Sequence, residues 1–131
     1  MRSFANLLDR LTYTPSRSGK LLLMRNYFRA TPDPDRGYAL AALTDGLPQP
    51  FPLRRVLGEI GAARFDPELF RLSRDDVGDT AETVALIWPV TETEGEAPRL
   101  SEIVAALSKA GRGGHAALLT QWLDRLDATG R

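Results

Sequence analysis

The sequence predicts an all-α domain, and three observations predict it. Apolar residues recur at i, i+3, i+4 and i+7 in one stretch after another; no segment alternates convincingly with period two; and proline or glycine separates the stretches. Mixed helix lengths and short proline turns point to an irregular orthogonal bundle of about seven to eight short helices, not an up-and-down four-helix bundle. At 131 residues the chain is read as a single domain, 1–131, large enough to bury a core without disulfides or metal. No internal repeat of about 30 to 45 residues marks a helical solenoid.

Taken in order, Ser3 can cap a first helix through Leu11, with Phe4, Leu7, Leu8 and Leu11 on one face. The second runs from about Ser18 to Ala30 and stops before Thr31-Pro32, because a residue preceding proline avoids helical geometry. Asp33-Pro34 opens a third, which ends at Asp45-Gly46. The segment 47–52, with three prolines, reads as a rigid extended connector. Pro52 starts a fourth helix with Leu53, Val56, Leu57 and Ile60 inside, weakened by Gly58 and Gly61. Asp66-Pro67 opens a short fifth through Leu69, Phe70 and Leu72, ending near Ser73. Gly78-Asp79 precedes a sixth in which Ala81, Val84, Ala85 and Trp88 align, and Pro89 ends it. Residues 91–98 form an acidic loop. Ser101 caps a seventh helix with Ile103, Val104 and Leu107, closed by Gly111-Arg112-Gly113-Gly114. An eighth runs from about His115 to Leu126, with Leu118, Leu119, Trp122, Leu123 and Leu126 inside.

A hydrophobic fraction of 43% with 26% charged residues is that of a soluble globular protein. No apolar run reaches the length of a membrane span, and the first residues lack a signal peptide's apolar core, so no membrane association and a cytoplasmic, nucleoid-associated location are expected. The chain has no cysteine, which removes disulfides, thiolate metal sites and cysteine nucleophiles. Net charge is zero but unevenly placed. Residues 1–40 hold seven Lys/Arg against three Asp/Glu, giving +4, whereas 76–98 hold six acids and no base, giving −6. A domain with a positive pole can bind an anionic polymer on one face while neutral overall.

The stretch Tyr13 to Phe28 concentrates the chemistry. Thr14 or Ser16 can cap a helix start, and Arg17 and Lys20 place positive charge where backbone N–H groups are unpaired, an arrangement able to hold a phosphate. Most amphipathic helices bearing arginines are nevertheless ordinary core helices with a solvated face. Catalytic constellations are nearly absent. His115 is the lone histidine, suited to a helix start or the surface; Asp75, Asp76 and Asp79 fit no calcium-loop spacing and suit helix capping better. Gly19-Lys20 lacks the first glycine of a phosphate-binding loop, which would fall at Thr14, and no Ser or Thr follows Lys20.

Phe4-Ala5 with Leu7-Leu8 and Leu11, then Thr14-Pro15-Ser16-Arg17 with Lys20, then Tyr27-Phe28, resembles the opening of the N-terminal helical DNA-binding domain of ATP-dependent DNA ligases. The run from Leu72 to Pro89 and the end from Trp122 to Gly130 resemble the bacterial branch of that family. The resemblance covers nearly the whole chain. It implies an all-helical domain that grips nicked duplex DNA through the minor groove and sugar-phosphate backbone without reading sequence, in repair, replication or recombination. It also implies a parent enzyme that uses ATP and Mg²⁺. The family's adenylated lysine lies in Lys-x-Asp-Gly, yet Lys20 is followed by Leu-Leu-Leu and Lys109 by Ala-Gly-Arg. This chain is therefore expected to be no enzyme by itself, to hold no cofactor, and to be an excised part whose nucleotidyltransferase and oligonucleotide-binding-fold domains are absent partners.

The DNA contacts this reading names are Thr14, Ser16, Arg17 and Lys20, then Arg74 and Gly78, where a glycine before Asp79 lets backbone approach a phosphate, and, on charge and loop context alone, Arg36 and Arg112. The plainer reading is that Gly78 relieves a tight turn and Arg74 pairs with Asp75 or Asp76. The alternative function is a helical protein-interaction module using the acidic segment 76–96 or exposed apolar surface. Convergence of the basic residues on one face would separate the two.

Overall fold

The computed structural model describes residues 1–47, 52–89, 96–111 and 113–131. Residues 48–51 of the expected connector 47–52, residues 90–95, which take in most of the expected acidic loop 91–98, and Arg112 lie outside the described residues. The chain is all-α as the periodicity predicts. Among the described residues are eight helices and no strand: α1 (Arg2–Tyr13), α2 (Arg17–Ala30), α3 (Asp35–Leu43), α4 (Leu53–Arg64), α5 (Pro67–Val77), α6 (Thr80–Ile87), α7 (Leu100–Lys109) and α8 (His115–Arg125).

The helices gather round two apolar clusters. Phe4 and Leu7 of α1, Ala39 of α3 and Leu100 of α7 form one, with Leu23, Tyr27 and Phe28 of α2 packed against it. Val56, Leu57 and Ile60 of α4, Phe70 of α5, Val84 of α6, Trp88 and Leu123 of α8 form the other. Helix α7 contacts both α3 and α8 and so joins the two. Burying these side chains removes enough apolar surface to drive the packing, at about 25 cal/mol per Å².

Local chemistry sets the ends. Asp66 accepts the Glu68 and Leu69 N–H groups and Pro67 occupies the first turn, so α5 starts where expected. It runs on to Val77, past the predicted end at Ser73. Gly78, at φ +83°, stops it in the left-handed region where only glycine is free of strain. Only Phe70 of that helix is buried; Leu69 and Leu72 face solvent. Asp79 then caps α6 through the Glu82 N–H at 2.9 Å.

Two further expectations are corrected. Helix α1 starts at Arg2 with no side-chain cap, so Ser3 lies inside it. Ser101 is likewise not a cap: α7 begins two residues after Pro98, and Glu102 accepts the Arg99 N–H while Asp35, from α3, accepts the Ser101 N–H at 2.9 Å. Burial pushes the Asp35 carboxyl upward, but the Ser101 hydrogen bonds, the N-terminal ammonium and Arg99 together outweigh it and hold the group below the usual carboxylate range. A lowered folded value means that the stabilisation is complete above the unfolded value of about 4 and is lost as pH falls through the folded one. Asp35→Asn is therefore expected to lower stability by about 1 kcal/mol at neutral pH. Urea titrations should show the gap from wild type closing below the unfolded carboxylate value.

The chain end is tied in by Arg131. Its Nε donates to Leu123 O at 3.0 Å and Leu126 O at 2.9 Å, and its terminal nitrogens donate to Trp88 O at 3.2 Å and Pro89 O at 3.3 Å. One guanidinium thus satisfies carbonyls at the ends of both α6 and α8, groups that have no partner within their helices.

Candidate nucleic-acid interface

The best-formed candidate is the junction of α1 and α2. Ser16 is in extended conformation and its Oγ accepts the Gly19 N–H at 3.1 Å, so it is the cap of α2. Thr14 does something else: its Oγ1 donates to Arg10 O at 2.6 Å and closes the last turn of α1. A Cβ on Gly19 would lie 2.7 Å from Ser16 Oγ and 2.9 Å from Thr14 Cγ2, so a larger residue here would require the Ser16 cap and the Thr14 side chain to shift. With Gly19 taken by Ser16, the Arg17 and Ser18 amides make no hydrogen bond among the described residues. Arg17 and Lys20 are exposed beside them and in no ion pair among the described residues. Ser16, Arg17 and Lys20 thus fall on the first turn of α2, with Thr14 beside them at the end of α1.

Helix α2 extends that surface. It is the longest of the described helices and has no buried residue; it packs half-buried Leu23, Met24, Tyr27 and Phe28 and leaves Arg25 and Arg29 exposed, also without ion pairs among the described residues. Arg10 on the last turn of α1 lines the α1/α2 groove with Asn6 and Asn26. Arg10, Arg25 and Arg29 are further exposed cations on α1 and α2, which the expected contacts did not include. The signal was available in the spacing of Arg25 and Arg29, one turn apart off the apolar face.

The other expected contacts divide. Arg74 and Gly78 sit together at the α5/α6 junction, on the half of the fold built round Val84, and share no helix with the α2 start. Arg74 lies 3.5 Å from Asp75, which also takes Arg71 at 3.1 Å. A Cβ on Gly78 would meet nothing within 4 Å, so the glycine is required by its backbone angle and not by close approach. Arg36 donates twice to Asp33, holding that carboxyl below its ordinary range through the hydrogen bond first and the guanidinium charge second. Its charge is engaged, which weakens it as a phosphate contact. Arg112 is outside the described residues.

Other polar clusters serve the architecture. Asp124 Oδ1 accepts from Arg64 at 3.1 Å and from the Trp88 indole at 3.0 Å, with the Arg64 guanidinium carbon 4.3 Å from the Trp88 ring centre. His115 Nε2 lies 3.2 Å from Leu107 O, joining α8 to α7. No group of three or more His, Asp or Glu among the described residues is placed to hold a metal ion, and no helix is long and apolar enough to cross a membrane.

No protein-family model, curated protein or solved structure matches the chain.

Proposed function

We propose that the chain is a duplex-DNA-binding domain, of the kind found at the N-terminus of bacterial ATP-dependent DNA ligases, which holds nicked duplex without reading its sequence. The observation that supports this most is the start of α2. Two backbone amides without partners point out of a capped helix beside Arg17 and Lys20, whose charges no carboxylate neutralises among the described residues. Helix-start amides and flexible cations bind phosphate oxygens whatever base follows, which yields affinity without base discrimination. Arg10, Arg25 and Arg29 add further exposed positive charge on α1 and α2.

On this reading ATP and Mg²⁺ act in a catalytic domain elsewhere in a ligase, and that domain and the duplex are the partners. This chain's own residues do not fit adenylation, because neither lysine stands in a Lys-x-Asp-Gly setting. The expected location is the cytoplasm, on the nucleoid.

A helical protein-interaction module is the second reading, favoured by Leu69, Leu72 and Leu86, which are more than half exposed on α5 and α6 near the acidic residues. Fluorescence anisotropy separates the two. Nicked duplexes of unrelated sequence are expected to bind equally, and Arg17→Ala with Lys20→Ala to weaken binding by about tenfold, two phosphate contacts being lost. A tenfold preference for one sequence, or unchanged affinity in the double variant, contradicts the assignment to this junction.

A further inference from the structure

Two helices on different halves of the fold carry exposed faces of the same make-up and opposite charge. At about 100° per residue, Leu21, Leu22, Arg25 and Arg29 of α2 fall within an arc of about 100° that points away from half-buried Leu23 and Tyr27. On α5, Glu68, Leu69, Leu72 and Asp76 fall within an arc of about the same width, opposite buried Phe70. Leu21 and Leu22 are 53% and 48% exposed, and Leu69 and Leu72 are 57% and 51% exposed, so each face offers two solvated leucines beside two charges of one sign.

The charges are uncommitted. Arg25, Arg29, Glu68 and Asp76 are all exposed and none is in an ion pair among the described residues. Beside the α5 face, Arg71 is taken by Asp75 at 3.1 Å and does not offset its negative charge. The surroundings have the same polarity: residues 1–40 carry +4, whereas 66–89 hold six acids against two arginines. Within one chain α2 packs on the Phe4 cluster and α5 on the Val84 cluster, which leaves both faces open to another molecule. Between two copies, α2 meeting α2 or α5 meeting α5 is repulsive, and α2 meeting α5 is attractive.

We infer that the exposed face of α2 docks on α5 of a second copy of the chain, the leucines packing together while Arg25 and Arg29 face Glu68 and Asp76. Burial of apolar surface supplies the affinity, and the charges select which face meets which. The contact is heterologous: a pair of copies still has one open α2 face and one open α5 face, so assembly continues head to tail or closes into a ring. It uses neither Arg17 nor Lys20 and does not rest on the duplex-binding reading.

Sedimentation velocity of the full chain, without nucleic acid, tests this from about 10 μM to about 1 mM at low salt, the range of a weak contact. The weight-average mass is expected to rise above that of one chain with concentration, and to fall again in about 0.5 M sodium chloride, which screens exposed ion pairs. Arg25→Glu with Arg29→Glu breaks the α2 face, and Leu69→Ser with Leu72→Ser breaks the α5 face; all four positions are exposed, and circular dichroism should show native helix in both variants. Each variant alone is expected to stay monomeric across the range. Mixed in equal amounts they should form a dimer and nothing larger, because the mixture has one intact pairing and no way to extend it.

Arg17→Ala with Lys20→Ala should leave the assembly unchanged whatever it does to duplex binding, so failure of either reading leaves the other standing. A wild-type chain that remains monomeric at about 1 mM, assembly that survives either double variant by itself, or a mixture that stays monomeric overturns the proposal.

Discussion

Trp88→Ala is expected to lower unfolding free energy by about 3–5 kcal/mol, a large share of the roughly 5–15 kcal/mol that a domain has. Trp88 is 2% exposed and sits where α6 ends, with its ring 6.0 Å from Phe65 in an edge-on arrangement and the Arg64 guanidinium over its face. Removing it opens a cavity in the cluster of Val56, Leu57, Ile60 and Val84, and deprives Asp124 of the indole N–H. Trp88→Phe separates the contributions. It keeps most of the ring but not the N–H, and should cost about 1–2 kcal/mol, the scale of one lost hydrogen bond to a charged group with slight underpacking. Urea titrations followed by far-ultraviolet circular dichroism check both; a Trp88→Ala cost under about 1 kcal/mol would contradict a closely packed second cluster.

Gly61→Ala is expected to destabilise the protein by about 2 kcal/mol, the reverse of what helix propensity predicts. Alanine in place of glycine inside a helix normally gains about 1 kcal/mol. At this position an added Cβ would lie 2.7 Å from Cε1 and Cε2 of Phe70 and nearer still to its Cζ. Phe70 is buried and stacked on Phe65, so the ring cannot swing away without disturbing α4 and α5; overpacking of this kind costs up to about 3 kcal/mol and wins. Phe70→Leu should therefore cost less in the Gly61→Ala background than in wild type, a coupling that a double-mutant cycle measures. The contrast is Gly58, where a Cβ meets nothing within 4 Å and alanine should stabilise.

That pair shows how far the sequence could be read. Both glycines look alike in it, as helix weaknesses, and only the path of α5 across α4 distinguishes them. The apolar face of α4 at Val56, Leu57 and Ile60, the alignment of Val84 with Trp88, and the inner face of α8 at Trp122 and Leu123 follow from 3.6-residue periodicity and are found buried. Period alone left the buried face of α5 unassigned: Phe70 is buried, whereas Leu69 and Leu72 face solvent. It also missed the start of α7, whose amide is satisfied by Asp35 from a helix more than sixty residues away. Caps made by a nearby side chain, such as Ser16, Asp66 and Asp79, were legible; those made across the fold were not.

The site divides in the same way. Thr14, Ser16, Arg17 and Lys20 lie within seven residues of sequence, and a local reading places them at one helix junction. Of the two hydroxyls able to cap α2, Ser16 does so, while Thr14 Oγ1 donates to the Arg10 carbonyl at the end of α1.

The most direct test is the salt dependence of nicked-duplex binding, measured by anisotropy for wild type and for the Arg17→Ala, Lys20→Ala double variant. The account predicts a log–log slope that falls in magnitude by about 2 in the variant, near 0.9 for each phosphate contact removed. Equal slopes, or no wild-type binding even at low salt, would contradict the α2 junction as a duplex-binding surface.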